Sequence, residues 1–328
     1  MSDKVKKALK FTLSVLLAGA LVYFAFRGVD WRSFADGLTR TRWGYIALFA
    51  VSAVLAIVFR ALRWRDMLRE IDPDALLLHT YDALNIGNVV NVVLPGAGEF
   101  VRCGYVSNKN ARYEKALGTI VMERAWDVIA IIVLILTALL VNWSCFGNFI
   151  RDQILVPISG RFDVSAGLVL AAFAGTVALL VLLVRRHRAS SRFLTKIHDF
   201  FVGIWRGFAD AARMKHKARF VLYTVLVWTA YVMMSFFVLK AVPELSGLGF
   251  ADALFISALG NFAALIPVPG GVGAYHYLVS LAFTGLYAIP ATTGLLFATL
   301  SHEIHAVIML LMGLASYIAI LLRKKTKK

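Results

Sequence analysis

From residue 164 to residue 184 the chain carries no charged side chain, and the stretches 8–26, 43–62, 116–141, 219–240 and 291–322 carry one to three formal charges each. Crossing the hydrocarbon core of a bilayer takes about 20 apolar residues. A backbone surrounded by lipid must also satisfy its own N–H and C=O groups, so runs of this kind without period-two alternation are restricted to helix. Hydrophobic residues make up 60% of the 328 positions and the mean hydropathy is +0.74, both above the range of a soluble domain. The first run follows Lys4, Lys6, Lys7 and Lys10 but lacks a small-x-small cleavage site before a polar segment, so it reads as a retained span rather than a secretory signal.

The chain is also written twice. WRSFAD at Trp31–Asp36 returns as WRGFAD at Trp205–Asp210, and DALN at Asp82–Asn85 is answered by DALF at Asp252–Phe255. Asn91 and Asn261 keep the offset of the two DAL triplets. Each is followed by a helix-breaking string, Pro95-Gly96-Ala97-Gly98 in one half and Pro267-Val268-Pro269-Gly270-Gly271 in the other. These breaks divide two apolar segments, about 75–106 and 250–288, into arms too short to cross. Both segments are expected to be re-entrant hairpins buried among the spans, where freed backbone groups find partners. The expected fold is an all-α polytopic membrane protein, one membrane domain over 1–328. It has six spanning helices and two re-entrant hairpins, arranged as inverted repeats over 1–150 and 151–328, an architecture that many carriers use to build a central site.

Charge orients this scheme. Segment 185–219 holds ten Lys and Arg against Asp199 and Asp210, the tail from Arg323 to Lys328 is basic, and 241–251 has no Lys or Arg. The positive-inside tendency then places both termini and 185–219 in the cytoplasm of an inner-membrane protein, with 142–163 outside. Arg27, Arg32, Arg40 and Arg42 in the external segment 27–42 run against the rule. The amphipathic pattern of 189–213 accounts for them: it reads as an interfacial helix, and Trp31, Phe34 and Leu38 read as its shorter counterpart in the other leaflet. The net charge of +16 sits in short segments flanking apolar runs, which argues for anionic lipid and against nucleic acid. Cys103 and Cys145 fall on opposite sides and do not pair. No soluble stretch exceeds about 35 residues, too short for a separate catalytic domain.

Charges at membrane depth cost roughly 2.5–3.5 kcal/mol each on insertion scales and need a partner or a wet cavity. Glu123 and Asp127, spaced i, i+4, share a helix face, and Arg124 or Arg102 is expected to lie between them. Two readings stay open, a structural ion-pair cluster and contact with a headgroup or coupling ion. Tyr81, Asn85, Asn88 and Asn91 form a polar stripe, followed by Glu99 and Arg102 at the start of a half-helix. There, free N–H groups would seat a phosphate. In the second hairpin Gly270, Gly271 and Gly273 precede Tyr275 and His276, and serve either a tight turn or close approach of a ligand. His302, Glu303 and His305 lack the spacing of zinc hydrolases, so no metal or other cofactor is expected; the cluster faces a headgroup, responds to protons or bonds between helices. Arg60, Arg63, Trp64 and Arg65 read as a cytoplasmic rim that anchors the protein or guides an anionic headgroup.

The ordered set Arg60-x-x-Arg63-Trp64, Asn91-x-x-Leu94-Pro95-x-x-Gly98-Glu99-x-x-Arg102, Glu123-Arg124-x-x-Asp127 and Pro267-x-Pro269-Gly270-Gly271-x-Gly273 resembles the lysylphosphatidylglycerol synthase transmembrane region, the flippase-like UPF0104 family. The resemblance covers essentially the whole chain. It implies an inner-membrane inverted-repeat protein whose relatives flip aminoacylated phosphatidylglycerol, others being tied to polyprenyl-linked glycan or hopanoid pathways. The soluble aminoacyl-transferase domain of the synthase is not expected after Lys328, nor is lysyl transfer. Many relatives carry Glu where His276 stands and Arg in the last span, where this chain has His302 and His305. The resulting expectation is a translocator passing a phospholipid or polyprenyl-phosphate headgroup between the hairpin tips, with Asn261 and the residues above as its headgroup site. A membrane-embedded lipid-modifying enzyme and a non-transporting lipid-binding scaffold are the rivals. Membrane lipids are the expected partners, with a homodimer left open.

Overall fold

The computed structural model of the chain describes residues 16, 19–94, 96–141, 214–263, 268 and 271–326. The expected span 164–184, the interfacial segment 189–213, the loop 142–163 with Cys145, and the break residues Pro95, Pro267, Pro269 and Gly270 lie outside the described residues. So does much of the span 8–26, of which 19–26 are helical. The principal helices are α1 (Trp31–Arg40), α2 (Trp43–Leu68), α3 (Leu77–Val93), α4 (Ala97–Val106) and α5 (Tyr113–Val141), then α6 (Lys217–Ala241), α7 (Phe250–Ala263), α8 (Ala274–Tyr287) and α9 (Ala291–Thr326). Of these, α2, α5, α6 and α9 are long and apolar enough to cross a membrane. The chain is an all-α, multi-pass membrane protein.

Both anticipated breaks are present. The arms α3 and α4 have 17 and 10 residues, about 26 and 15 Å of helix, and α7 and α8 have 14 each, about 21 Å. Gly96, immediately before α4, has φ +80°, a left-handed conformation that glycine adopts without a Cβ clash. In each pair the arms pack against one another at a glycine. A Cβ on Gly98 would stand 2.0 Å from the Gly87 carbonyl oxygen, and one on Gly260 would stand 2.5 Å from the Tyr275 ring.

The helices of the two broken pairs make matching contacts with the long helices. The long helices α2 and α6 pack together as a central pair; α3 lies on α2, and α7 on α6. The long helix after each broken pair then crosses to the other pair, α5 onto α7 and α9 onto α3. At the second crossing a Cβ on Gly313 would fall 2.1 Å from Val89 Cγ2, so the helices approach as small residues in membrane interfaces permit. Asn85 Nδ2 donates to Ser316 Oγ at 3.0 Å, and Arg323 Nη2 pairs with Asp82 at 2.6 Å, tying α3 to the far end of α9.

Buried apolar side chains gather in two cores. One, with Trp64, Leu84, Cys103 and Ile120, surrounds α3 and α4; the other, with Val238, Ile256, Phe283 and Phe297, surrounds α7 and α8. The outer surface is apolar as well, including Leu48, Val51 and Leu55 on α2, Ile132, Val133 and Leu136 on α5, and Leu310, Leu311 and Leu314 on α9. Contiguous exposed apolar side chains on this scale require lipid. At the periphery α1 begins at Asp30, whose carboxylate accepts from the Arg32 and Ser33 N–H groups, while Phe34 and Leu38 pack inward against the core. Between α2 and α3, Asp72 accepts from Asn108 Nδ2 at 2.7 Å and from Asn110 Nδ2 at 3.4 Å, fastening this loop to the one between α4 and α5. The Asn108 hydrogen bond, above all, holds the Asp72 carboxyl below its ordinary range.

Candidate functional site

The charged residues of α2, α4 and α5 meet inside the bundle. Glu123 is fully buried and receives three guanidinium groups: Arg102 Nη2 at 2.7 Å, Arg63 Nη2 at 3.3 Å and Arg60 Nη2 at 3.4 Å. Arg63 Nη2 also lies 2.8 Å from Asp127 Oδ1, so it is Arg63 that bridges the two acids of the i, i+4 pair. Arg102 reaches back to Glu99 at 2.9 Å and lies over the Trp64 ring, 4.7 Å from its centroid. Arg124 closes the circuit by pairing with Glu99 and lying 3.8 Å from Asp127. Four guanidinium groups around three carboxylates leave one formal positive charge on the cluster. Inside a low-dielectric bundle that surplus attracts an anion more strongly than it would in water.

The structure corrects three expectations from the sequence. Arg63 and Trp64 are not part of an exposed rim: both are fully buried, and Trp64 Nε1 donates to Thr119 Oγ1 at 2.9 Å. Their positions three and four residues beyond Arg60 point them into the bundle, where the acids of α5 offset the desolvation of Arg63. Arg60 also turns inward. The sequence points to Arg102 or Arg124 as the bridging cation, because it carries no signal that α2 packs beside α5 and brings Arg63 to the acids. The half-helix α4 does not present all its first-turn N–H groups to a ligand either, since Asn91 Oδ1 accepts from Gly98 N at 2.8 Å.

In front of the cluster lies a cavity of about 580 Å³, within the usual range for small-molecule sites. Asn88, Asn91, Gly96 and Glu99 from the first broken pair line it, as do Asn261, Gly271 and Tyr275 from the second. Arg60, Arg124, His302 and His305 complete its polar wall. The Arg124 side chain is 48% exposed, so it is the most available cation of the cluster, whereas Arg102, Glu123 and Arg63 stand behind it. Asn261 donates to the Ser257 carbonyl at 2.8 Å, so its side-chain arrangement differs from that of Asn91. Tyr231, Ser235, Ser257 and Ser301 also face the cavity and were not singled out in the sequence. They sit in apolar runs where Ser and Tyr are common, and nothing in their spacing marks them.

Beside the cavity His276, Glu303 and His302 form a second polar group. Glu303 Oε1 is 3.0 Å from His302 Nδ1 and 3.4 Å from His276 Nε2, and the two imidazole centroids are 5.2 Å apart. Gly271 and Gly273 have φ of +74° and +83°, so the turn before α8 requires glycine at both positions.

A family model described as the lysylphosphatidylglycerol synthase TM region matches residues 11–313. The chain belongs to the lysylphosphatidylglycerol synthase transmembrane-region family. Among curated proteins, this member is 23% identical over 262 residues to the UPF0104 membrane protein PH1989 of Pyrococcus horikoshii, covering 73% of this chain and 76% of that one. It is 26% identical over 310 residues to the glycosyltransferase AglD of Haloferax volcanii, covering 84% of this chain. It spans about half the length of that second relative, 49%. No solved structure matches it. Family membership and the apolar spans make this a membrane-embedded, lipid-handling protein.

Proposed function

We propose that the chain translocates an anionic or zwitterionic headgroup, carried on a phospholipid or a polyprenyl phosphate, across the cytoplasmic membrane by alternating access. The observation that carries this reading is the 580 Å³ cavity, which joins residues of both broken helix pairs to the cationic cluster inside the bundle. A phosphate entering it meets Arg124 and Arg60, while Asn88, Asn91 and Asn261 supply neutral donors and acceptors. The acyl or prenyl chains stay in the lipid against the outer faces of α5 and α9.

The exchange of α5 and α9 between the two halves supports an inverted repeat in which one half rocks against the other around a fixed site. In this reading both termini are cytoplasmic and the broken pairs are re-entrant hairpins. The relative named a glycosyltransferase keeps an enzymatic reading in view, and the same experiment separates the two.

The experiment reconstitutes the protein in vesicles holding a headgroup-labelled phospholipid and follows label movement between leaflets with a membrane-impermeant quencher. Wild type accelerates exchange, and Arg124→Ala slows it at least about tenfold, corresponding to a lost charge-assisted hydrogen bond. Exchange no faster than in empty vesicles across anionic and zwitterionic lipids and a polyprenyl phosphate overturns the proposal. A chemically altered lipid detected by mass spectrometry establishes the enzymatic reading in its place.

A further inference from the structure

The second polar group, at the edge of the cavity, has a geometry that the headgroup reading does not call upon. His276, His302 and Glu303 each offer one ligand atom, and these atoms all lie within 4.8 Å of one another. In a tetrahedral zinc site, with bonds of about 2.0–2.2 Å, neighbouring ligand atoms stand roughly 3.3 Å apart. The two separations measured from Glu303, 3.0 and 3.4 Å, already bracket that value. The remaining one, between the two imidazoles, lies within 4.8 Å.

We propose that His276, His302 and Glu303 form a binding site for a borderline divalent cation of the zinc class, with an open coordination position toward the cavity. Two imidazole nitrogens and one carboxylate oxygen suit zinc and its first-row neighbours, whereas magnesium and calcium take oxygen ligands. Three protein ligands leave the fourth position to water or to an anionic oxygen. That position is reachable, because His302 lines the cavity and the Glu303 side chain is half exposed.

The ligands are held in place before any ion arrives. His276 is buried in the first turn of α8, and the His302 ring is flanked by Tyr275 at 5.3 Å and His276 at 5.2 Å. A Cβ on Gly271 would come within 3.4 Å of His302 Nε2, so the glycine keeps that side of the imidazole clear. The sequence brings together His302, Glu303 and His305 with His276 near them. The structure sets His276, from another helix, against Glu303 and leaves His305 out of the group.

The site would also change the cavity's electrostatics. Among its described lining residues, Arg60 and Arg124 come from the first half and no Lys or Arg comes from α6 to α9. A divalent ion on Glu303 would turn one formal negative charge into one net positive charge beside the wall that lacks a fixed cation. This consequence rests on the headgroup reading, but the metal site does not.

The test uses the full chain, freed of any polyhistidine tag, stripped with chelator in detergent and titrated with zinc against a chromophoric competitor. One zinc per chain is expected. His276→Ala, His302→Ala and Glu303→Gln each weaken binding at least about 100-fold, as loss of a direct ligand should exceed the 10–100-fold typical of outer-shell changes. Absence of saturable one-to-one binding in the unaltered chain overturns the proposal, and so does binding that stays within threefold in all three variants. A loss as large in His305→Ala would overturn the assigned ligand set. Cobalt added to the unaltered protein gives a readout independent of variant folding: intense visible bands of a tetrahedral ion are expected, and a weak octahedral spectrum refutes the site. None of these readouts involves lipid movement, so failure here leaves the translocation test untouched.

Discussion

Arg102 Nη2 lies 2.7 Å from Glu123 Oε2, joining the second arm of the first broken pair to the following long helix with both side chains buried. Neither charge has water to fall back on, and each is shared: Arg102 also pairs with Glu99, and Glu123 also holds Arg63 and Arg60. The energetics of the pair therefore belong to the whole cluster.

Removing one buried partner leaves the other uncompensated, at about 3–5 kcal/mol. Arg102→Ala and Glu123→Ala are each expected to lower thermal stability by an amount of that order, and the double variant to be milder than their sum. The measurement is a double-mutant cycle on melting temperature and on lipid exchange. Strict additivity in both would show that the charges act independently.

Gly98 is a sharper structural test. Its added Cβ would strike the Gly87 carbonyl oxygen at 2.0 Å and the Asn91 side chain at 2.7 Å, and a backbone atom cannot rotate away. Gly98→Ala should destabilise by more than the 1–3 kcal/mol usual for overpacking. Gly104→Ala, six residues on in the same helix with nothing within 4 Å of its Cβ, should be neutral or stabilising by about 0.5–1 kcal/mol. Equal melting temperatures for the two variants would contradict the arm-to-arm contact.

Asp72 predicts a dependence on pH outside the membrane. Its folded pKa lies below the ordinary carboxylate value of 3.8, so its carboxylate adds stability above that value and loses it as pH falls through the lower, folded pKa. Asp72→Ala should therefore melt below wild type at neutral pH, and the gap should narrow as the pH falls from about 4 downward. A gap that stays constant over this range would mean that the Asn108 contact does not depend on ionisation.

Orientation can be read by labelling. In a Cys145→Ser background, where buried Cys103 is protected, Gly147→Cys should react with an impermeant thiol reagent from outside and Ser190→Cys only from the cytoplasm. Equal external labelling at both positions would overturn the proposed inverted topology.

The sequence by itself located α2, α5, α6 and α9 to within a few residues, because apolar length is a local property that lipid enforces along each helix. It placed the interruption between Val93 and Ala97 for a similar reason: Pro95-Gly96 breaks a helix whatever surrounds it. It also showed that Glu123 and Asp127 share a face and need a cation. Which cation answered was decided by tertiary structure, when α2 packed beside α5 and brought Arg63 between the two acids. Arg60, Asn91, Asn261 and His302 meet at one cavity although some 240 residues separate the first from the last. That His276, and not His305, stands against Glu303 has the same origin. Periodicity states which way a side chain faces on its own helix, but which helices stand opposite is set by interhelical packing at small residues such as Gly98, Gly260 and Gly313, and that is a property of the assembled bundle.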